Sequence, residues 1–206
     1  MTEHYFSKDP QVKSEPFLLT CTLRGYPFRF YSDHGVFSKN EVDFGTRLLI
    51  ESFRAPRVDG PFIDVGCGYG PIGLAIAKDV SDRRIHMIDV NERALMLAEK
   101  NAKENGVDNV VIYESDRFES VKERQFAAVL SNPPIRAGKK VVYSIFEEAK
   151  AHLVDRGELW IVIHKKQGAP SALEKLEQLF EEVTVEEKKK GYYVVRAEKI
   201  DSYNHL

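Results

Sequence analysis

Only a few residues, centred on Gly191, separate the run Val183–Lys188 from the run Tyr192–Ala197. Both runs have the alternating, β-branched and aromatic character of strands. So short a link permits only an antiparallel hairpin, because parallel neighbours need a crossover of about a dozen residues. Upstream the pattern is the opposite. Strand-like runs at Phe62–Val65, Arg84–Asp89, Val110–Glu114, Phe126–Ser131 and Glu158–Ile163 are interleaved with helical patterns at Gly70–Lys78, Glu92–Asn105, Val141–Leu153 and Ser171–Phe180. Gly106 reads as the cap residue ending the second of these helices. Such alternation implies a mostly parallel sheet with helices on both faces. The two patterns together predict an α/β fold: a doubly wound, mostly parallel seven-stranded sheet whose last strand runs backwards.

Before this body, residues 17–31 read as two strands turning at Arg24-Gly25, followed by a loop at Gly35-Val36-Phe37-Ser38-Lys39 and a helix over Val42–Phe53. The expected division is an N-terminal hairpin-and-loop extension at 1–38, the main domain at 39–200 and a tail at 201–206. A chain of 206 residues suits one domain with a small appendage. Its net charge of −2 argues against bulk attraction to nucleic acid and leaves room for a local basic face. No apolar run approaches the roughly 20 residues of a membrane span, and Met1 to Pro10 lacks an apolar signal core. Cys21 and Cys67 are too few for a disulfide framework or a zinc site. These features give the expectation of a cytoplasmic protein.

The turn after the first main strand reads Asp64-Val65-Gly66-Cys67-Gly68-Tyr69-Gly70. Glycines here let a ligand approach the backbone closely, and the helix that follows offers free N–H groups to it. Gly68 to Gly73 also matches the dinucleotide fingerprint formally, and Asp89, at the end of the next strand, can accept from both ribose hydroxyls. NAD is therefore a competitor. The reversed last strand favours S-adenosylmethionine instead, as does Asp64, which can order the loop or meet the cofactor's ammonium. Ser115-Asp116-Arg117-Phe118 follows the third strand at the same sheet edge. Asp116 is either an acceptor for an adenine amine, with Phe118 packed nearby, or a turn residue.

Asn132-Pro133-Pro134-Ile135 closes the apolar run Phe126–Ser131. Neither proline has an N–H, so the strand ladder must stop and the chain must turn rigidly. That rigidity fixes the Asn132 amide, which has one acceptor oxygen and two donor hydrogens. An exocyclic nucleobase amine is a poor nucleophile because its lone pair is delocalised into the ring. The Asn132 side-chain oxygen and the Pro133 carbonyl can draw its hydrogens aside and aim the lone pair at a methyl donor. Positioning of this kind is worth up to about 7–11 kcal/mol, and needs neither a metal nor a covalent intermediate. An amine within paired nucleic acid would first be flipped out.

The glycine turn, Asp89, Ser115-Asp116 and the segment Asn132 to Lys139 resemble the ordered motifs of class I S-adenosylmethionine-dependent methyltransferases. More narrowly, Gly35 to Ser38 together with Asn132 to Lys139 resemble the "small" methyltransferase domain of ribosomal RNA guanine-N2 methyltransferases. The resemblance implies a Rossmann-like methyltransferase fold. It implies that Asp64, Gly66 and Gly68 border S-adenosylmethionine, that Asp89 takes the ribose hydroxyls, and that Asp116 lies near adenine. It gives Asn132 and Pro133 to the acceptor amine, and Phe37 and Ser38 to a loop over the pocket. Many related enzymes have an aromatic residue where this chain has Ile135, so stacking on the acceptor must come from elsewhere, with Phe37 one source.

Arg136, Lys139 and Lys140 follow the amine turn, and Lys165 and Lys166 follow a later strand. Phosphate contacts from such residues give affinity without sequence information. The bland alternative is a solvated rim, and that is the reading for Lys188 to Lys190. His164 reads as a packing or surface residue and Trp160 as core. The leading expectation is methylation of guanine N2 in small-subunit ribosomal RNA, free or within an assembling particle. The competitors are an adenine-N6 or protein-glutamine methyltransferase, an NAD-binding oxidoreductase, and a nucleic-acid binder with a relic pocket.

Overall fold

A computed structural model describes residues 13–34, 36 and 41–201. It opens with an antiparallel pair, β1 (Phe17–Leu23) and β2 (Tyr26–Ser32), which turn at Arg24-Gly25. Helix α1 (Phe44–Ser52) follows, then β3 (Phe62–Val65), α2 (Pro71–Asp79), β4 (Ile85–Asp89), α3 (Glu92–Glu104), β5 (Val110–Glu114), β6 (Phe126–Ser131), α4 (Lys139–His152), β7 (Leu153–His164), α5 (Ala169–Leu179), β8 (Glu182–Lys189) and β9 (Tyr192–Glu198). Seven strands form one sheet in the order β5-β4-β3-β6-β7-β9-β8. The pairs from β5 to β7 are parallel, and β9 runs antiparallel to both β7 and β8. The reversed strand is thus present, inserted between β7 and β8.

Every residue of β3 and β6 is buried, as central parallel strands require. Side chains alternate between two cores. Phe62, Met87, Leu130 and Trp160 face α1, α2, α3 and the hairpin, whereas Ile63, Ile88, Val129 and Ile161 face α4 and α5. Trp160 lies in the first core and donates its indole N–H to Glu158 at 2.8 Å.

The hairpin contributes Leu19, Leu23, Phe28 and Phe30 to the first core. Its open edge is satisfied by side chains rather than by a strand. Asn101 accepts from the Tyr31 N–H at 2.7 Å and donates to the Tyr31 carbonyl at 2.9 Å. Asn105, one helical turn on, does the same for Arg29, with both bonds at 2.9 Å. Two amides on one face of α3 therefore supply the ladder that a third strand would have offered.

One boundary departs from expectation. Strand β7 starts at Leu153 rather than Glu158. Phe126 pairs with Leu153, but Ala128 pairs with Glu158, so a bulge absorbs the residues between. Arg156 at φ +62° sits in that bulge, and its polar, glycine-flanked surroundings read locally as a loop.

Candidate active site

The carboxyl ends of β3, β4, β5, β6 and β7 lie at one edge of the sheet, where open α/β sheets bind ligands. Gly66, Gly68 and Gly70 have φ of +75°, +58° and +105°, so the turn out of β3 uses backbone conformations that other residues resist. A Cβ at Gly66 would meet no heavy atom within 4 Å, which leaves open space beside that backbone. At Gly73, by contrast, it would lie 2.7 Å from Met87 Cγ. That glycine serves the close packing of α2 on β4.

Asp64 is fully buried. One carboxylate oxygen accepts from the Gly73 N–H at 2.9 Å, and the other has no partner among the described residues. Burial pushes its pKa from 3.8 up to about 7; the Gly73 bond opposes this and the charge of Asp89 adds to it. An unsatisfied buried carboxylate oxygen is costly, and a ligand ammonium would satisfy it. Asp89 accepts from the Gly68 N–H and from the Asn91 N–H, each at 2.9 Å, so it braces the glycine loop. Burial raises its pKa against those backbone bonds. A carboxylate has about four lone-pair sites, so Asp89 keeps acceptor capacity for a ribose hydroxyl beyond its backbone bonds. The open backbone at Gly66, the orphaned Asp64 oxygen and the remaining capacity of Asp89 fit a nucleoside cofactor with a cationic tail.

Asp116 stands just beyond β5 at this edge, exposed, and its carboxylate accepts from Arg117 Nε at 3.0 Å. Arg117, at φ +51°, also reaches Ser144 at 2.9 Å on α4. Phe118 is buried in the second core with its ring stacked on His152 at 4.5 Å. In this arrangement Asp116 faces solvent and a guanidinium, and the Phe118 ring packs against protein. Phe37 and Ser38 lie outside the described residues.

The turn after β6 is rigid as its prolines require. Pro134, at φ −75° and ψ +77°, is the centre of an inverse γ-turn closed by the Ile135 N–H on the Pro133 carbonyl at 2.9 Å. That carbonyl keeps one lone pair. Ile135 begins a single 3-10 turn and packs against the second core, while Arg136 and Lys139 are exposed. Asn132 is half-buried. Its Nδ2 donates to Thr46 Oγ1 at 3.0 Å and to Asp43 Oδ2 at 3.3 Å. Both amide hydrogens are therefore engaged, and the side-chain oxygen makes no hydrogen bond among the described residues.

The partners of Asn132 on α1, and the ring that packs over them, have no signal of their own in the sequence. Asp43 caps α1, accepting from the Gly45 and Thr46 N–H groups, so its local pattern already has a complete explanation. The Tyr192 ring lies 2.7 Å from where a Cβ on Gly45 would stand, 5.7 Å from Phe44 and 4.8 Å from His164. Burial and the charge of Asp43 raise its phenol pKa. An aromatic group thus stands over the first turn of α1.

The basic residues also converge. β9 pairs antiparallel with β7 so that Tyr192 stands opposite His164, which sets the β8–β9 turn beside the carboxyl end of β7, and the Lys165 N–H donates to the Gly191 carbonyl at 2.8 Å. Arg136, Lys139, Lys140, Lys165, Lys166, Lys188, Lys189 and Lys190 are all exposed. None forms an ion pair with a described carboxylate, whereas Arg24, Arg117, Arg156 and Arg196 are all paired. Lys188 to Lys190 are solvent-exposed, as the sequence reading has them, and they share the edge that carries Asn132.

No metal-binding cluster of His, Cys, Asp or Glu occurs among the described residues, and no described helix is long and apolar enough to cross a membrane. Both cysteines are free.

A family model described as "Methyltransferase small domain" matches residues 27–196. The "Uncharacterized protein YbxB" of Bacillus subtilis (strain 168) is 62% identical over 201 residues, which cover 97% of this chain and 100% of that protein. The "Ribosomal RNA small subunit methyltransferase C" of Pasteurella multocida (strain Pm70) is 38% identical over 150 residues, which cover 71% of this chain and 45% of that enzyme. The chain thus spans less than half the length of that named relative. Among solved structures, the 16S rRNA N2 methyltransferase (RsmC) of T. thermophilus, in complex with AdoMet and guanosine, superposes with a TM-score of 0.79 at 24% identity, covering 92% of this chain and 52% of that one. At that identity the likeness shows a shared fold. With the family model spanning most of the sheet and both turns at its catalytic edge, the chain belongs to the methyltransferase small domain family.

Proposed function

We propose that this chain transfers a methyl group from S-adenosylmethionine to an exocyclic nucleobase amine, and that the amine is guanine N2 in small-subunit ribosomal RNA. The observation that carries the reading is the Asn132 amide: both its hydrogens are bonded to protein, and its oxygen is free at the end of β6, beside the glycine turn of β3. The cofactor supplies an electrophilic methyl carbon on a sulfonium. Everything else falls to the chain. Asp89 and the turn at Gly66 and Gly68 hold the nucleoside end, and Asp64 takes the ammonium. Asp116 remains the acceptor proposed for the adenine amine, for which it must release Arg117. Phe118 supports that wall from within the core.

On the acceptor side, Asn132 Oδ1 and the remaining Pro133 lone pair each accept one amine hydrogen, leaving the nitrogen lone pair directed at the methyl carbon. Ile135 borders the base. Arg136, Lys139 and the neighbouring unpaired lysines suit a polyanion, and RNA is the polyanion whose bases carry such amines. A ribosomal RNA substrate puts the work in the cytoplasm.

The test is tritium transfer from labelled S-adenosylmethionine to undermethylated small-subunit RNA and to assembling particles, with the product nucleoside read by mass spectrometry. Label in N2-methylguanine supports the proposal. Label in N6-methyladenine or in protein glutamine reassigns the acceptor. Tight NAD binding in calorimetry, with no response to S-adenosylhomocysteine, overturns the reading altogether.

A further inference from the structure

We infer that Asp43 and Thr46, on the first turn of α1, are positioning residues that set the polarity of the Asn132 carboxamide. The inference rests on the reading of Asn132 as the group that grips the acceptor amine.

The two ends of a carboxamide have nearly the same shape, so packing alone selects between them weakly. Hydrogen-bond chemistry selects strongly. An ionised carboxylate has no hydrogen to give, so only the NH2 end of Asn132 can face Asp43 Oδ2, at 3.3 Å. The second hydrogen goes to Thr46 Oγ1 at 3.0 Å. Turned by half a revolution, the amide would set its oxygen against a carboxylate oxygen, which is repulsive. The consequence at the other end is what matters for the reaction. An acceptor amine already carries hydrogens, so it can be gripped only by an oxygen. With Asp43 and Thr46 in place, Asn132 offers an oxygen; reversed, it would offer two more hydrogens and no grip. A charged acceptor behind the N–H also polarises the amide and strengthens the oxygen as an acceptor.

The mount is itself held firmly. Asp43 Oδ1 accepts from the Gly45 N–H at 2.9 Å and Oδ2 from the Thr46 N–H at 3.3 Å. Thr46 is buried, and the Tyr192 ring covers Gly45 between them. A side chain that serves as a helix cap thereby also orients a residue 89 positions later in the chain.

The experiment separates capping from orientation. Serine caps a helix about as well as aspartate but is too short to reach Asn132, so Asp43→Ser keeps the helix and removes the carboxylate. Thr46→Val keeps the shape and removes the acceptor; Thr46→Ser is the rescue. With undermethylated small-subunit RNA as substrate, Asp43→Ser should lower kcat by about 100-fold, the scale of a misplaced catalytic contact. Thr46→Val should lower it about tenfold, the weight of one hydrogen bond. Melting temperature, affinity for S-adenosylhomocysteine and the KM for RNA should stay near those of the parent, and Thr46→Ser should recover turnover. On an Asn132→Ala background neither substitution should cost anything further, because both act through that amide. Parental kcat in Asp43→Ser and Thr46→Val, with Asn132→Ala strongly impaired, overturns the inference and leaves the proposed function standing. So does an equal loss with and without Asn132. Full activity of Asn132→Ala alone refutes the proposed function instead.

Discussion

Ser131 donates its hydroxyl hydrogen to the Val65 carbonyl at 2.8 Å and so fastens the end of β6 to the end of β3. The next residues along are Asn132 and Gly66, so the amine turn and the cofactor turn share one buried anchor. Ser131→Ala takes the partner from a buried carbonyl, a loss of about 1–3 kcal/mol in stability. Turnover should fall more than cofactor affinity does, because the change alters the spacing of two turns and touches neither ligand. Denaturant melts with steady-state kinetics test this, and a variant with parental stability and kcat would show that the two ends are set independently.

Asn132 and Asp89 should separate cleanly in kinetics. Asn132→Ala removes the proposed contact to the acceptor and should leave S-adenosylhomocysteine affinity nearly intact while cutting kcat strongly. Asp89→Ala removes the brace on the Gly68 N–H as well as the proposed ribose acceptor, so cofactor affinity should fail first. Calorimetry beside single-turnover methylation distinguishes the two patterns. An Asn132→Ala enzyme working at the parental rate sinks the amine grip.

Much of this site is legible in the chain because its signals are local. Each of Gly66, Gly68 and Gly70 is needed by its own backbone conformation, and Pro133-Pro134 ends a strand wherever it occurs. The hairpin at Gly191 likewise declares itself through its length. Relationships across distance are not legible. Asp43 followed by Gly45 and Thr46 is fully accounted for as a helix cap, so nothing in the sequence ties it to Asn132. Lys188 to Lys190 lie on a recognisable hairpin, but the place of its turn directly beside the end of β7 depends on β9 entering between β7 and β8. The Phe118 ring, one residue past the positive-φ Arg117, turns into the core toward His152, a direction that spacing does not encode.

Asp64 should make apo-protein stability depend on pH. Its folded pKa, about 7, lies above the ordinary 3.8, so across that window the folded state holds a proton that the unfolded chain gives up. The stability it contributes is complete below the unfolded pKa and is lost as pH rises through about 7. Asp64→Asn has no such titration. Denaturation of both proteins without ligand should therefore show the parent losing ground to the variant as pH rises across this range. A ligand ammonium beside Asp64 favours the ionised form, so saturating S-adenosylhomocysteine should shrink the difference. Parallel curves for the two proteins would mean that Asp64 is already ionised within the fold.

The unpaired cations at the catalytic edge should appear in the salt dependence of RNA binding. Neutralised phosphates release counterions, so the logarithm of affinity falls with the logarithm of salt in proportion to the contacts made. Replacing Lys188, Lys189 and Lys190 together by alanine should weaken binding of undermethylated small-subunit RNA and reduce that slope by about 2, at ~0.7 per phosphate on single strands. These residues stand on a hairpin whose backbone is paired with β7, so the fold should survive, and cofactor affinity should not change. Replacing Arg84, Lys103 and Lys122, which lie before β4, on α3 and after β5, controls for net charge and should leave the slope as it was. If both sets change it equally, RNA senses only the overall charge of the protein. If the hairpin set changes nothing, the polyanion is held by Arg136, Lys139 and Lys140 around the amine turn.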